Sequence, residues 1–373
     1  MSFTDQDQKW MQRALKLAKK GAGYVAPNPL VGCVIVSKYG RKIGEGYHER
    51  YGEAHAEINA LNSIKDKSDL DAATVYVTLE PCAHQGKTPP CADELAKWPL
   101  KRVVIATKDP TPKVNGRGIA RLRKAGIKVE TRLMEEEAKE LNRFFFHFQE
   151  LGIPYVTLKI AQTADGYIAA PDGSSQWITS KPAREKVHSW RSIYDAVMVG
   201  RHTAQIDNPR LTVRHVEGRQ PRRIVVDGPY ELSPELHLLS DQYEEKTIRI
   251  THNKQKASDE ADPMLSLLKS NYFRGKTLLV PELNGHTHLE ETLRKLGDMN
   301  ISSILVEAGP ELATAMLKND LVDQMELFVA PKLLGGGTRS IQGLGIDRMS
   351  DVRPFRSHRW QQIGDDLLLT AYL

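Results

Sequence analysis

The chain of 373 residues has three cysteines, Cys33, Cys82 and Cys91. So few in so long a chain exclude a disulfide framework and point to a reducing compartment. No apolar run approaches the length of a membrane span, which argues against a membrane protein. The first ten residues, Met1 to Trp10, are polar and lack the apolar centre of a secretion signal, so the expected setting is cytoplasmic. The excess of one sign of charge is also small. A net charge of +5 suits an anionic metabolite better than nucleic acid, which would call for a concentrated basic stripe. The length exceeds what one hydrophobic core usually serves, so two domains are expected.

What is present is concentrated between His55 and Cys91. His55-Ala56-Glu57 is followed by Thr78-Leu79-Glu80-Pro81-Cys82 and then by Thr88-Pro89-Pro90-Cys91. Zinc takes imidazole and thiolate ligands, and a catalytic zinc site keeps one position open. His55, Cys82 and Cys91 supply three ligands of that chemistry, and Glu57 is left over as an acid/base. Residues two apart lie on nearly opposite helix faces, so His55 and Glu57 converge only at a helix start. The positive end of a helix also favours thiolate and hydroxide. A lone buried His or Cys is more often plain core, but three in metal-site order reverse that expectation. A structural zinc site is the stronger rival. It would need four protein ligands, and no fourth cysteine stands near this cluster.

Around this cluster the pattern is α/β. Thr4 and Asp7 form a capping box before an apolar helical stripe that Gly21 ends. Val31–Val36 reads as a buried strand, which makes Cys33 core rather than ligand. Strands are expected at Ile43–Tyr47, Val75–Leu79, Val103–Thr107 and Ile127–Thr131, with helices after His55, after Cys91 and at Ile119–Ala125. Such alternation gives a central sheet with helices on both faces. Glu135 to Phe148 reads as one helix, and Gly152-Ile153-Pro154 ends it, so the domain boundary is placed near residue 150.

These residues resemble the cytidine-deaminase fold. More closely, they are similar to the deaminase half of the bifunctional diaminohydroxyphosphoribosylaminopyrimidine deaminase / 5-amino-6-(5-phosphoribosylamino)uracil reductase family of riboflavin biosynthesis. Its Pro-Asn-Pro is here Pro27-Asn28-Pro29, and its long metal loop is His84-Gln85-Gly86-Lys87-Thr88-Pro89-Pro90-Cys91. The nine-position step from Cys82 to Cys91 is the norm there. Asp109 to Val114, followed by Gly116-Arg117-Gly118, also matches. The resemblance implies one zinc on His55, Cys82 and Cys91, with Glu57 catalytic. It also implies a pyrimidine and ribose-phosphate pocket lined by Asn28, His48, His84 and Lys87. From the residues alone, Asn28 is equally a turn residue and Lys87 equally a solvated loop charge.

The second half restarts with a strand at Tyr155–Ala161. Further apolar strands are expected at Ala196–Val199, Arg223–Val226, Thr247–Thr251, Thr277–Val280, Ile304–Val306, Met325–Val329 and Leu367–Tyr372. No Gly-x-Gly-x-x-Gly follows any of them, so a Rossmann dinucleotide site is not supported. Two weaker glycine signals remain: Glu307-Ala308-Gly309-Pro310, where a helix start could hold a phosphate, and Gly335-Gly336-Gly337. Either alone is more often a turn.

This half resembles the dihydrofolate-reductase-like, NADPH-using reductase of the same family. The matching residues are Leu158-Lys159, Asp165-Gly166, Ser175 to Ser180, Arg191, Asp207 to Arg214, Glu307 to Pro310 and Ala330 to Gly335. The resemblance places the cofactor on Ala161, Trp177, Thr179, Thr203 and Asp207, and on Gly309, Pro310, Glu311, Leu312, Ala313, Thr314 and Ala315. It places the phosphorylated substrate on Lys159, Ser175, Arg191, Leu211, Arg214 and Glu307. Arginines suit that task because a guanidinium grips a phosphate through two hydrogen bonds. Two departures stand out: Val199-Gly200-Arg201-His202 is more basic than the family pattern, and Asn208 replaces a common second Asp.

The expectation is therefore a cytidine-deaminase-like three-layer domain at 1–150 and a dihydrofolate-reductase-like α/β domain at 151–373. They would deaminate a phosphorylated pyrimidine and then reduce its ribosyl chain. The expected partners are that small molecule and copies of this chain in a homo-oligomer, dimer or tetramer. A nucleic-acid deaminase would require a basic, aromatic platform that residues 150–373 do not show clearly. A decayed zinc scaffold predicts loss of Glu57, Arg191 or Arg214, and all three are present. A deaminase with an inactive reductase half is the nearest variant.

Overall fold

The computed structural model describes residues 3–83, 89–112, 114–261 and 273–373. The chain divides into two compact units, Met1–Gly152 and Ile153–Leu373.

The first unit holds five strands: β1 (Gly32–Val36), β2 (Lys42–Tyr47), β3 (Thr74–Leu79), β4 (Arg102–Thr107) and β5 (Lys128–Thr131). They lie in the order β2-β1-β3-β4-β5, with β1 antiparallel to both neighbours and β3, β4 and β5 parallel. Alternation along β1 divides the core. Cys33 and Ile35 face one cluster, with Ala60, Leu61, Leu95 and Leu122 from α2 (Ala56–Asn62), α3 (Cys91–Ala96) and α4 (Arg117–Lys124). Val34 and Val36 face the other, with Met11, Ala14, Leu15 and Ala138 from α1 (Asp5–Ala18) and α5 (Glu135–Leu141). Three layers result, and Cys33 is fully buried core.

Thr4 caps α1 through the expected box with Asp7. Gly46 on β2 sets how close α2 comes. A β-carbon there would stand 2.4 Å from the Ala60 nitrogen, so any other residue would push α2 and the His55 before it off the sheet. The single helix expected from Glu135 to Phe148 is instead two, α5 and α6 (Arg143–Leu151). Asn142 stands between them with its backbone off the helical values, at φ −105° and ψ 19°, while its side-chain amide pairs both ways with the Leu30 backbone at 2.7 and 2.9 Å.

The second unit contains β6 (Tyr155–Thr163), β7 (Tyr167–Ala169), β8 (Ala196–Gly200), β9 (Arg222–Val226), β10 (Thr247–Thr251), β11 (Lys276–Leu279) and the hairpin β12 (Glu282–Leu283) with β13 (His286–Thr287). After these come β14 (Ser303–Val306), β15 (Gln324–Ala330), β16 (Thr338–Arg339), β17 (Ser357–Ile363) and β18 (Asp366–Tyr372). A nine-stranded sheet runs β11-β10-β9-β8-β14-β6-β15-β18-β17. Pairings from β11 to β15 are parallel, and β18 and β17 are antiparallel. Helices Leu289–Asp298 and Pro310–Lys318 cover one face, and α7 (Lys181–Ile193) covers the other through Ala183 and Val187. The edge strand β17 was not anticipated. Its sequence is polar and it is exposed along nearly its whole length, so it carries no apolar signal.

Candidate active sites

In the first unit three chain segments deliver one cluster. His55 is the N-cap of α2, Cys91 opens α3, and Cys82 follows β3. One ligand atom from each lies within 4.8 Å of the others. His55 Nδ1 stands 3.6 Å from the Cys82 sulfur and 3.3 Å from the Cys91 sulfur, so Nδ1 is the nitrogen turned into the cluster. The Cys91 backbone N–H donates to the Cys82 sulfur at 3.3 Å. Hydrogen bonds from Cys91 and the His55 ring hold the Cys82 thiol well below the usual thiol range, against the cost of burial. Two soft sulfurs and one imidazole, which no fourth His, Cys, Asp or Glu joins among the described residues, fit a catalytic zinc ion by donor chemistry.

Glu57, in the first turn of α2, is buried beside this cluster. Burial pushes its carboxyl up to about 7, and the Cys82 thiolate adds to the effect. His48 is fixed by its two ring nitrogens. Nδ1 donates to the Ala54 carbonyl at 3.1 Å, which leaves Nε2 to accept from the Asn28 amide at 3.2 Å. The His48 and His55 rings meet edge-on with centroids 5.2 Å apart. Asn28 and His48 thus stand beside the metal cluster, while His84 and Lys87 lie outside the described residues. The brace on this segment was not legible: Asn59 of α2 donates to Tyr47 O at 2.8 Å and to Ala54 O at 3.3 Å.

The second unit opens a cleft of about 710 Å³ at the carboxyl ends of β6, β8 and β14, where parallel sheets usually bind ligands. Lys159 and Ala161 come from β6. Thr203 and Asp207 come from α8 (Arg201–Asp207), and Gly309 and Pro310 follow β14. Ser175, Trp177, Thr179, Arg191, Leu211, Arg214 and Glu307 complete the lining among the expected residues. The register pairs Leu158 with Val306, which sets Lys159 and Glu307 abreast just beyond the end of β14.

Charge is concentrated here. Arg191 Nε and Nη2 donate to the two Glu307 oxygens at 2.6 and 2.9 Å, and Arg191 Nη1 donates to Thr212 O at 3.1 Å. The two-pronged grip expected for a phosphate is therefore spent on Glu307, and Arg214 is the more exposed cation. Burial opposes the Glu307 charge, but Arg191 and Lys159 hold its carboxyl well below the usual range. Burial pushes the Lys159 ammonium down, with Arg191 adding to the effect and Glu307 opposing it.

Glu311, Leu312, Ala313, Thr314 and Ala315 do not line the cleft. Only the start of their helix reaches it: Ala313 is core, and the Thr314 hydroxyl accepts from the Gln342 backbone at 2.9 Å. At that start the Gly309 N–H donates to the Thr203 hydroxyl at 3.1 Å. The other glycine signal is a turn, tied down where Asp165 accepts from the Leu334 and Gly335 N–H groups. Both departures have local partners. Arg201 pairs with Glu231 at 2.5 Å, and Asn208 sits left-handed at a helix end, accepting from the His237 N–H at 2.8 Å. His188, His202 and His215 line the cleft without having been anticipated. For His188 a signal existed, since it precedes Arg191 by three residues and so shares its helix face.

A sheet bearing a His-Cys-Cys cluster beside a buried glutamate, joined to a parallel sheet with a charged cleft at its strand ends, defines a zinc-dependent deaminase coupled to a reductase. Residues 4–107 match the family of the cytidine and deoxycytidylate deaminase zinc-binding region, and residues 154–369 match the RibD C-terminal domain. The chain belongs to the RibD family, the bifunctional deaminase/reductases of riboflavin biosynthesis. It is 42% identical over 373 residues to riboflavin biosynthesis protein RibD of Actinobacillus pleuropneumoniae, covering 99% of this chain and 95% of that one. With the Escherichia coli protein of that name it shares 41% over 378 residues, 98% of each. The crystal structure of a diaminohydroxyphosphoribosylaminopyrimidine deaminase/5-amino-6-(5-phosphoribosylamino)uracil reductase from Thermotoga maritima superposes with a TM-score of 0.86 at 36% identity, covering 98% of each chain. Acinetobacter baumannii RibD gives 0.85 at 37%, again covering 98% of each.

Proposed function

We propose that residues 1–150 deaminate 2,5-diamino-6-(5-phosphoribosylamino)pyrimidin-4-one by hydrolysis, and that residues 151–373 reduce the ribosyl chain of the product to ribityl. The observation that carries this reading is the convergence of His55, Cys82 and Cys91 within 4.8 Å beside buried Glu57. Zinc is the cofactor of the first reaction and supplies the Lewis acidity that lets water attack at neutral pH. Glu57 accepts one proton of that water and passes it to the ring nitrogen, then carries the second, from the added hydroxyl, to the departing amine, so ammonia leaves. Asn28 and His48 orient the pyrimidine, and His84 and Lys87 belong to the same assignment.

NADPH is the cofactor of the second reaction and supplies a hydride. As C1′ gains hydrogen and its bond to the ring oxygen breaks, that oxygen needs a proton. Lys159, half-buried and lining the cleft, holds one there. Glu307, fixed by Arg191, balances the Lys159 charge, and Arg214 meets the phosphate. Thr203, Asp207 and the Gly309–Pro310 helix start receive the cofactor, with Ala161, Trp177 and Thr179 across the cleft. Among the described residues no helix is long and apolar enough to cross a membrane. A cytoplasmic setting and a homo-oligomer belong to the same proposal, and sedimentation velocity measures the latter.

The test follows ammonia release and NADPH oxidation together, on zinc-loaded protein given the diaminopyrimidine ribotide. Both signals, both stopped by a zinc chelator, support two reactions in series. Ammonia without NADPH consumption overturns the reductase assignment, and neither signal overturns the whole.

A further inference from the structure

His188 and Arg191 stand one turn apart on α7, and both line the cleft. His188 is 5% exposed, and its Nδ1 accepts the Arg214 backbone N–H at 3.1 Å. The His215 ring packs edge-on against it, with centroids 4.4 Å apart.

The stretch 211–214 that carries Arg214 belongs to no helix or strand. It begins with buried Leu211 at φ +52°, a conformation unfavourable for a branched side chain. Side chains hold it instead of a ladder. Gln220 pairs both ways with the Val213 backbone, each bond 2.8 Å, and Arg191 holds Thr212 O. The Arg214 guanidinium leans on the Thr212 hydroxyl at 2.7 Å. Among these holds, the one at Arg214's own main chain is His188.

We propose that His188 is a positioning residue of the reductase: by holding the Arg214 backbone it aims that guanidinium at the phosphate of the substrate. This rests on the reductase reading above. An imidazole that accepts at Nδ1 is neutral and carries its proton on Nε2. Burial, together with the charges of Arg191 and Arg214 and against that of Glu307, lowers the His188 pKa to about 4, so the acceptor persists at neutral pH.

The test uses the full zinc-loaded chain with the deaminated ribotide and NADPH. His188→Leu keeps bulk and removes the acceptor, whereas His188→Asn can place an amide oxygen where Nδ1 stood. His188→Leu is expected to raise KM for the ribotide about tenfold, with kcat within about twofold and KM for NADPH unmoved. His188→Asn is expected to stay within about threefold of wild type. On an Arg214→Ala background His188→Leu should add nothing, because both act through one guanidinium. An active wild type with an unmoved ribotide KM in His188→Leu, or effects that add with Arg214→Ala, overturn the proposal alone. A wild type that oxidises no NADPH overturns the reductase reading and the proposal with it.

Discussion

Arg191 and Glu307 meet through two parallel hydrogen bonds of 2.6 and 2.9 Å, although 116 residues separate them in the chain. Both side chains are nearly buried, so each is the main compensation for the other's lost hydration. Lys159 stands beside the pair and depends on the same carboxylate. Glu307→Gln keeps the shape and removes the charge, leaving Arg191 and Lys159 without it. The expected result is a fall of about 100-fold in kcat/KM for NADPH oxidation. Ammonia release should be unchanged. Arg191→Lys should fail similarly, because an ammonium cannot make the fork. Full reductase activity in Arg191→Lys would show the fork to be dispensable.

Glu57 touches the first reaction alone. Glu57→Gln preserves bulk and loses the base, so ammonia release should fall about a thousandfold. Zinc content, measured by elemental analysis, should stay at wild type, and NADPH oxidation with the deaminated ribotide should persist. Cys91→Ser should behave differently and lose zinc. Ammonia release at the normal rate in Glu57→Gln would remove that residue from the mechanism.

The zinc cluster was legible because its chemistry sits in short local words. His55-Ala56-Glu57 announces a helix start, Pro81-Cys82 follows a β-branched strand, and thiols are rare enough in this chain that each one informs. The strands of the parallel sheet were legible for the related reason that burial on both faces writes continuous apolar runs. What escaped depends on side chains meeting across long separations. No local pattern says that Arg191 spends its fork on Glu307, or that His188 holds Arg214. The bend at Asn142 escaped similarly, since the side-chain partner that holds it lies 112 residues away at Leu30. The Gly309–Ala315 segment shows the converse: the resemblance implies contacts along its whole length, while of these residues Gly309 and Pro310 line the cleft.

Asp7 makes the first unit sensitive to acid. Its carboxylate accepts from Arg102 at 2.7 and 3.2 Å and from the Tyr76 hydroxyl at 2.7 Å. Burial would raise its pKa, but Arg102, Tyr76 and Thr4 together hold it well below the usual carboxylate range. A carboxyl depressed on folding contributes stability above its unfolded pKa, about 3.9, and loses it as the pH falls further. Asp7→Asn should cost about 3 kcal/mol at neutral pH by leaving Arg102 with less compensation. The gap from wild type should close as the pH drops below about 4. Melting temperatures of both proteins across that range check the sign, and a gap that widened in acid would contradict the assignment.

Glu80 stands two residues before Cys82 and does not face the metal cluster. Its two carboxylate oxygens accept the N–H groups of Gly116 at 3.0 Å, Gly118 at 3.0 Å and Ile119 at 3.2 Å, where α4 begins. Its own backbone N–H donates to Thr107 O at 3.0 Å. Gly118 lies so close to the next residue that a β-carbon there would stand 2.0 Å from Pro81 O. The segment from Glu80 to Cys82 is thus clamped between β4 and the start of α4, which leaves the Cys82 sulfur little freedom. A preorganised ligand binds metal more tightly than a mobile one, and supporting contacts of this kind are worth about tenfold or more in metal affinity. Glu80→Ala should therefore release zinc at about tenfold lower chelator concentration than wild type, with the change read as bound zinc after dialysis. Gly118→Ala should do the same from the other side of the clamp, by pushing Pro81 outward. Deamination should recover in both when zinc is supplied in excess, because Glu57 and the three ligands are untouched. Wild-type zinc retention in both variants would show that Cys82 is held by something other than this clamp.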